Sequence, residues 1–106
     1  MNSVQTKSLV LSLGQRTHLI PQNVSYLEAE GNYTNVYSTK GGKRLLSTTL
    51  KIVLEQFQLY GNFVRISRKH AVNMHHVSMV SDKGVSLHSG QDLLPSRRMA
   101  KNLDKY

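Results

Sequence analysis

Apolar residues recur along this chain at two spacings, and the difference separates one helix from a series of short strands. Leu50, Val53, Leu54 and Phe57 fall at i, i+3, i+4 and i+7, with Lys51, Glu55 and Gln56 off the stripe. That period predicts a short amphipathic helix over residues 49–57. Ser47, Thr48 and Thr49 are candidate caps for its start, and Gly61–Asn62 stops the region.

The remaining runs are too short for helices. "LVLSL" (9–13) and "HLI" (18–20) flank "GQRT", whose Gly14 suits a turn. "VSYLEAE" (24–30) sets Val24, Tyr26 and Glu28 against Ser25, Leu27 and Ala29, so both faces of the strand are mixed. "YTNVYST" (33–39) is rich in residues that fit a pleated surface. Gly31–Asn32 separates these two strands, and Gly41–Gly42 separates the second from "KRLLST". Past the helix, Phe63–Ile66, Ala71–Met74, Val77–Val80, Val85–Leu87 and Asp92–Leu94 read as further strands. Pro95 ends the last one, and Ser96 can cap a closing turn over Arg97–Leu103. The pattern is that of a mainly β domain with one short helix.

A chain of 106 residues is expected to form one domain, 1–106, with residues 1–8 and 104–106 fraying. It has no cysteine, which excludes disulfides and thiolate metal sites. "MNSVQTKS" is polar and "LVLSL" is too short for a signal peptide or a membrane span. A cytoplasmic protein with no membrane partner is expected.

Charge changes the picture more. The net charge is +8, from 14 Lys and Arg against 6 Asp and Glu. From Arg65 onward the bases are Arg65, Arg68, Lys69, Lys83, Arg97, Arg98, Lys101 and Lys105, against only Asp82, Asp92 and Asp104. Uneven positive charge favours polyanions, nucleic acid before small acidic molecules.

Two clusters concentrate it: Arg65, Arg68, Lys69 and His70, then Arg97, Arg98 and Lys101. Each begins where an apolar strand stops, as phosphate- or base-reading loops on a β scaffold would. On pattern alone, nucleic-acid binding and plain surface solubilisation both stand. Other chemistry finds less support. His70, His75 and His76 are neighbours, and His18 and His88 can join them, but helical i+4 ligand spacing is missing, so structural or surface histidines are the better account. Glu28 and Glu30 share a strand face without a defined cleft, and Ser67 near His70 lacks a nucleophile elbow. Gly41–Gly42 is not followed by the Lys and Ser or Thr of a phosphate loop. No enzyme activity, metal or other cofactor is expected.

Four blocks in order resemble the LytTR DNA-binding domain of bacterial transcription regulators. They are "IPQNVSYLEAEGNYTNVYS", "STTLKIVLEQF", "FVRISRKHAVNMHHV" and "DLLPSRRMAKNL", together running from about Ile20 to Leu103. The resemblance implies an elongated set of small antiparallel sheets with one short helix. It implies loops that enter successive major grooves of double-stranded DNA at promoter direct repeats, with the chain itself as a dimer partner on DNA. Residue by residue, Arg68 and Arg98 match contacting positions. Lys69, Arg97 and Lys101 stand beside them, and "GNYTN" supplies Asn32, Thr34 and Asn35 as unranked candidates, with Tyr33 a candidate anchor beneath that loop.

Lys69 departs from the small Ser usual in the family, and adds charge next to Arg68. LytTR domains usually follow a phosphorylatable receiver; the chain reads as carrying none, either as a stand-alone member or as the output part of a longer regulator. Arg65 lies on the strand proper and is open to a structural pairing with Glu28, Glu30 or Glu55. The rival class is a small basic β module binding RNA or single strands, favoured by five tyrosines and weakened by the lack of a "GFGFV"-like run.

Overall fold

The computed structural model describes residues 9–12 and 16–104. The turn expected at Gly14 and the fraying expected at residues 1–8 and 104–106 lie outside them, except for Asp104, whose N–H donates to the Lys101 carbonyl at 3.1 Å. In chain order the strands and helix are β1 (Leu9–Ser12), β2 (Arg16–Leu19), β3 (Val24–Glu30), β4 (Tyr33–Ser38), β5 (Lys43–Leu46) and α1 (Leu50–Phe57). There follow β6 (Phe63–Arg65), β7 (His70–Asn73), β8 (Val77–Ser81), β9 (Gly84–Leu87) and β10 (Asp92–Leu93). Single 3-10 turns lie at Pro21–Asn23, Met74–His76 and Ala100–Leu103.

All pairings are antiparallel. β1 and β2 form a hairpin, β5-β4-β3-β7-β6 a five-stranded sheet, and β10-β9-β8 a three-stranded one. β3 is central: Tyr26 faces Tyr37 of β4 on one side and Val72 of β7 on the other.

The mixed faces of β3 have a geometric cause. Strict alternation would send Val24 and Leu27 to opposite faces. The β3–β4 register shifts between Val24 and Tyr26, and this bulge around Ser25 changes the parity. Val24 and Leu27 therefore both join Val36, Leu46 and the helical stripe in one core. Tyr26, Val64 and Val72 point the other way, into a second core with Val85, Leu87, Leu93 and Leu103. The five-stranded sheet is thus covered on both faces, by α1 on one and by the small sheet and closing turn on the other.

The helix begins at Leu50, one residue later than its period predicted, with Thr49 as its N-cap. The Thr49 carbonyl accepts from Val53 N–H, but its side chain makes no cap bond. Its end meets β6, where Phe57 and Phe63 pack edge to face at 5.0 Å. Gln58 Nε2 donates to the Phe63 carbonyl and Asn102 Nδ2 to that of Arg65. These bonds occupy acceptors that an added strand would otherwise use.

Phe57 is fully buried while Leu59, two residues on, is 74 % exposed. Phe57→Ala should lower unfolding free energy by about 3–5 kcal/mol. Leu59→Ala should stay within about 0.5 kcal/mol of the parent. Denaturant melts of the two variants check both, and equal midpoints would place the stripe outside the core.

Candidate nucleic-acid interface

The link between β6 and β7 is short, charged and tightly held. Ser67 Oγ accepts the N–H groups of Lys69 at 3.1 Å and His70 at 2.9 Å, closing the turn on itself. The Lys69 carbonyl accepts from Ala29 N–H at 2.7 Å, which fastens the turn to β3. Arg68 and Lys69 are left exposed at its crest.

Arg65 does not pair with Glu28, Glu30 or Glu55. Its Nε donates to the Ser67 carbonyl at 3.1 Å and its Nη2 to the Arg68 carbonyl at 2.7 Å. The planar fork suits this task, because two donors in fixed geometry can hold two successive bends of one loop. Burial, and then the neighbouring Arg68 charge, lower the Arg65 pKa. An anion near this turn would offset the Arg68 charge that Arg65 feels.

The second basic cluster joins the first through the backbone. Ser96 N–H donates to the Ile66 carbonyl at 2.8 Å, one residue before the crest begins. Ser96 Oγ accepts from Met99 N–H at 3.1 Å, and the Ser96 carbonyl accepts from Ala100 N–H, so Ser96 closes the turn over residues 97–99, while the 3-10 turn that follows has Met99 as its own N-cap. Leu103 anchors that turn in the second core. Arg97, Arg98 and Lys101 stay exposed along it.

The β3–β4 turn lies at the same end of the sheet, just past Ala29. Gly31 has φ +59° and Asn32 a negative φ, the sign pattern of a two-residue hairpin turn with glycine first. Asn32 is exposed at its tip. The expectation for Thr34 and Asn35 needs correction, since both are on β4 and inside it, at 0 % and 2 % exposure. Thr34 Oγ1 donates to the Thr48 carbonyl, and Asn35 Nδ2 donates to Glu30 at 2.7 Å and more distantly to Glu28. Tyr33 is not an anchor beneath the loop either: it is 48 % exposed. A two-residue turn puts all three on the strand: alternation turns Thr34 to the helix side, while Asn35 shares the face of Tyr33 and is buried there by its bonds to Glu30 and Glu28.

The acids beneath this end are tied inward. Glu28 Oε2 accepts from His70 Nε2 at 3.0 Å, and Oε1 accepts from Tyr37 Oη at 3.0 Å. Burial alone would raise the Glu28 pKa, but the bonds from His70, Tyr37 and Asn35 outweigh it and hold the carboxyl below its usual range. Burial, then the bond to Glu28, push the Tyr37 phenol up to about 12. Tyr26 stacks on the Tyr37 ring at 4.3 Å. Neither the Glu28–His70 pair nor the Arg65 clamp was named from sequence, where only the cross-strand register of β3 with β7 could have paired Glu28 with His70.

These shifts fix the sign of the pH response. Glu28, depressed in the fold, stabilises it above the ordinary carboxylate pKa, and that contribution is lost as pH falls through the folded value. Tyr37 behaves oppositely. Between the ordinary value of 10.0 and about 12 the unfolded chain ionises first, so stability falls as pH rises. Tyrosinate absorbance of the parent against Tyr37→Phe should show one late-ionising phenol. Glu28→Gln should bring it earlier without full return, because burial remains.

The model of the LytTr DNA-binding domain family matches residues 15–106. Comparison with curated protein sequences returns no match. Among solved structures, the LytTr DNA-binding domain of a Bacillus cereus response regulator superposes with a TM-score of 0.71 at 19 % identity. The alignment covers 97 % of this chain and 96 % of that one, and its mainly β architecture with a single helix is the one found here. The family match spans most of the chain, and the chain belongs to the LytTR family, whose members are DNA-binding domains of transcription regulators and not enzymes.

Proposed function

We propose that this domain reads specific sequences in double-stranded DNA through the loops at one end of its five-stranded sheet. The observation that carries the proposal is the bond from Ser96 N–H to the Ile66 carbonyl, which unites both basic clusters on one rim. The tip at Asn32 extends that rim. The exposed face of α1 carries Lys51, Ile52 and Glu55 and no basic cluster, so among the described residues the two clusters sit on loops and turns and not on that helix. Loops must then enter the major grooves, and copies of the domain sit at direct repeats.

The roles divide by chemistry. Arg68 and Arg98 present forks that match guanine O6 and N7, while Lys69, Arg97 and Lys101 neutralise phosphate. Arg65 positions the crest without touching DNA, through its bonds to the Ser67 and Arg68 carbonyls. The exposed Tyr33 ring beside Asn32 favours one rival, in which bases of a single strand stack on it. Competition between duplex and single strand of one sequence separates the two readings.

Arg68→Ala should lose about 1–3 kcal/mol of discrimination between cognate and scrambled duplex, and Arg68→Lys should restore little of it. Arg98→Ala should relax preference at a different base pair. With about four to six phosphates neutralised, the parent's log–log salt slope should be near −4 to −5, and Lys69→Ala should flatten it by about one unit while sequence preference survives. Titrations at several salt concentrations read all of these. Equal weakening on both duplexes by Arg68→Ala would reduce it to a phosphate contact.

Arg65→Ala should act before DNA arrives. Hydrogen exchange at the Lys69 and His70 amides should quicken in the free protein, with cognate affinity falling at the same time. Unchanged exchange would show that the crest holds itself, and that Arg65 acts on DNA directly.

A further inference from the structure

The two acids of β3 are held differently. Glu28 is half-buried and both of its oxygens are taken, Oε2 by His70 and Oε1 by Tyr37 and Asn35. Glu30 is exposed and stands directly before the Gly31–Asn32 tip. Its Oε1 accepts from Asn35 Nδ2 at 2.7 Å, and Asn35 is itself only 2 % exposed. A buried amide thus fixes the orientation of an exposed carboxylate. Among the described residues, Glu30 Oε2 has no hydrogen-bond partner and Glu30 forms no ion pair.

The neighbours of this acid make its position unusual. The last rung between β3 and β7 pairs Glu28 with His70, and Ala29 N–H then donates to the Lys69 carbonyl. Carried one step outward, that register sets Glu30 beside Arg68, two exposed and opposite charges that do not pair with each other. A carboxylate on a rim of cations repels phosphate and weakens every duplex alike, unless a base contact offsets the cost.

We infer that Glu30 reads cytosine: its free Oε2 accepts the N4 amino group in the major groove, in the stretch where Arg68 takes guanine O6 and N7. The inference rests on the DNA reading above, and adds to it a base and the acceptor that selects it. Only cytosine and adenine present an amino donor in the major groove. Adenine sets the N7 acceptor beside that donor, and an ionised carboxylate has acceptors alone, so the second oxygen is repelled there. Guanine O6 and thymine O4 are acceptors and repel it outright. Cytosine offers the donor by itself. An arginine fork next to a carboxylate then matches the edge of G·C pairs, two acceptors followed by one donor.

The probe is a duplex enriched from a random pool by the parent chain, with its single-base-pair variants and a scrambled version. Glu30→Ala should bind the scrambled duplex about twofold or more tighter, because a negative charge leaves the rim. It should bind the enriched duplex about fivefold or more weaker, because a base contact is lost. Opposite signs separate base reading from plain repulsion. Glu30→Gln keeps an acceptor for Asn35 and gains a donor, and the bidentate match of a glutamine is adenine N6 and N7. The pool that this variant enriches should exchange cytosine for adenine at one position and keep the guanine read by Arg68. Unfolding midpoints check that both variants fold. Equal tightening on both duplexes by Glu30→Ala would overturn the inference, as would a Glu30→Gln pool identical to the parent's. Arg68→Ala, run alongside, tells the two readings apart. If it too leaves the ratio of enriched to scrambled affinity unchanged, the DNA reading itself falls; if it lowers that ratio while the Glu30 variants do not, only the role of Glu30 falls.

Discussion

A sheet that is apolar on both faces must be covered on both, and most of this structure follows from that requirement. Leu27 and Tyr26, adjacent on β3, belong to different cores. One needs α1, the other needs β9, β10 and the closing turn. The chain must therefore cross from one face to the other, and it crosses where the sheet ends. The segment from β10 to the closing turn stays on the second face, since Leu93 and Leu103 share that core, and at the sheet's end Ser96 N–H meets the Ile66 carbonyl. The gathering of two basic clusters is a by-product of covering the sheet.

The same requirement explains how the acids can lie so near an anion-binding rim. Glu28 sits on the polar continuation of the Tyr26 face, where the second core runs out. Left unpaired there, a half-buried carboxylate would be costly and would oppose the approach of phosphate. Three neighbouring side chains, His70, Tyr37 and Asn35, supply its hydrogen bonds, so its field is largely spent within the sheet. Among the described residues, the bases above it form no ion pair with a carboxylate. Arg65 satisfies itself on carbonyls, which hold its geometry without cancelling its charge. Neutralisation below and none above leaves the rim positive.

What was legible in the sequence tracks what is decided locally. The helix was legible because four apolar residues at period 3.6 carry their own geometry, and its observed start differs by one residue. The turn closed by Ser96 was legible because Pro95 breaks the strand before it. The bulge at Ser25 was not, since it is defined by what β4 does opposite β3. Thr34 and Asn35 were misplaced because "GNYTN" reads as a loop of five, whereas Gly31 turns the chain in two and the rest is strand. Arg65 offered a charge count but no partner, and backbone carbonyls leave no mark in a sequence.

Family resemblance and local physics therefore carry different parts of the site. The resemblance located Arg68 and Arg98 on matching blocks, a statement about position. Only the structure gives the reason that such positions can work together: each is exposed on a segment whose neighbours are fastened, Arg68 between Ser67 and the Lys69 carbonyl bound by Ala29, Arg98 between Ser96 and buried Leu103. Rigid supports matter because a fork on a mobile loop would lose ordering entropy on binding, which offsets the gain from the contact. An arginine held this way needs to order little more than its own side chain. Discrimination then depends on how firmly Ile66, Ser67 and Ser96 hold the backbone, and these residues do not themselves need to touch DNA.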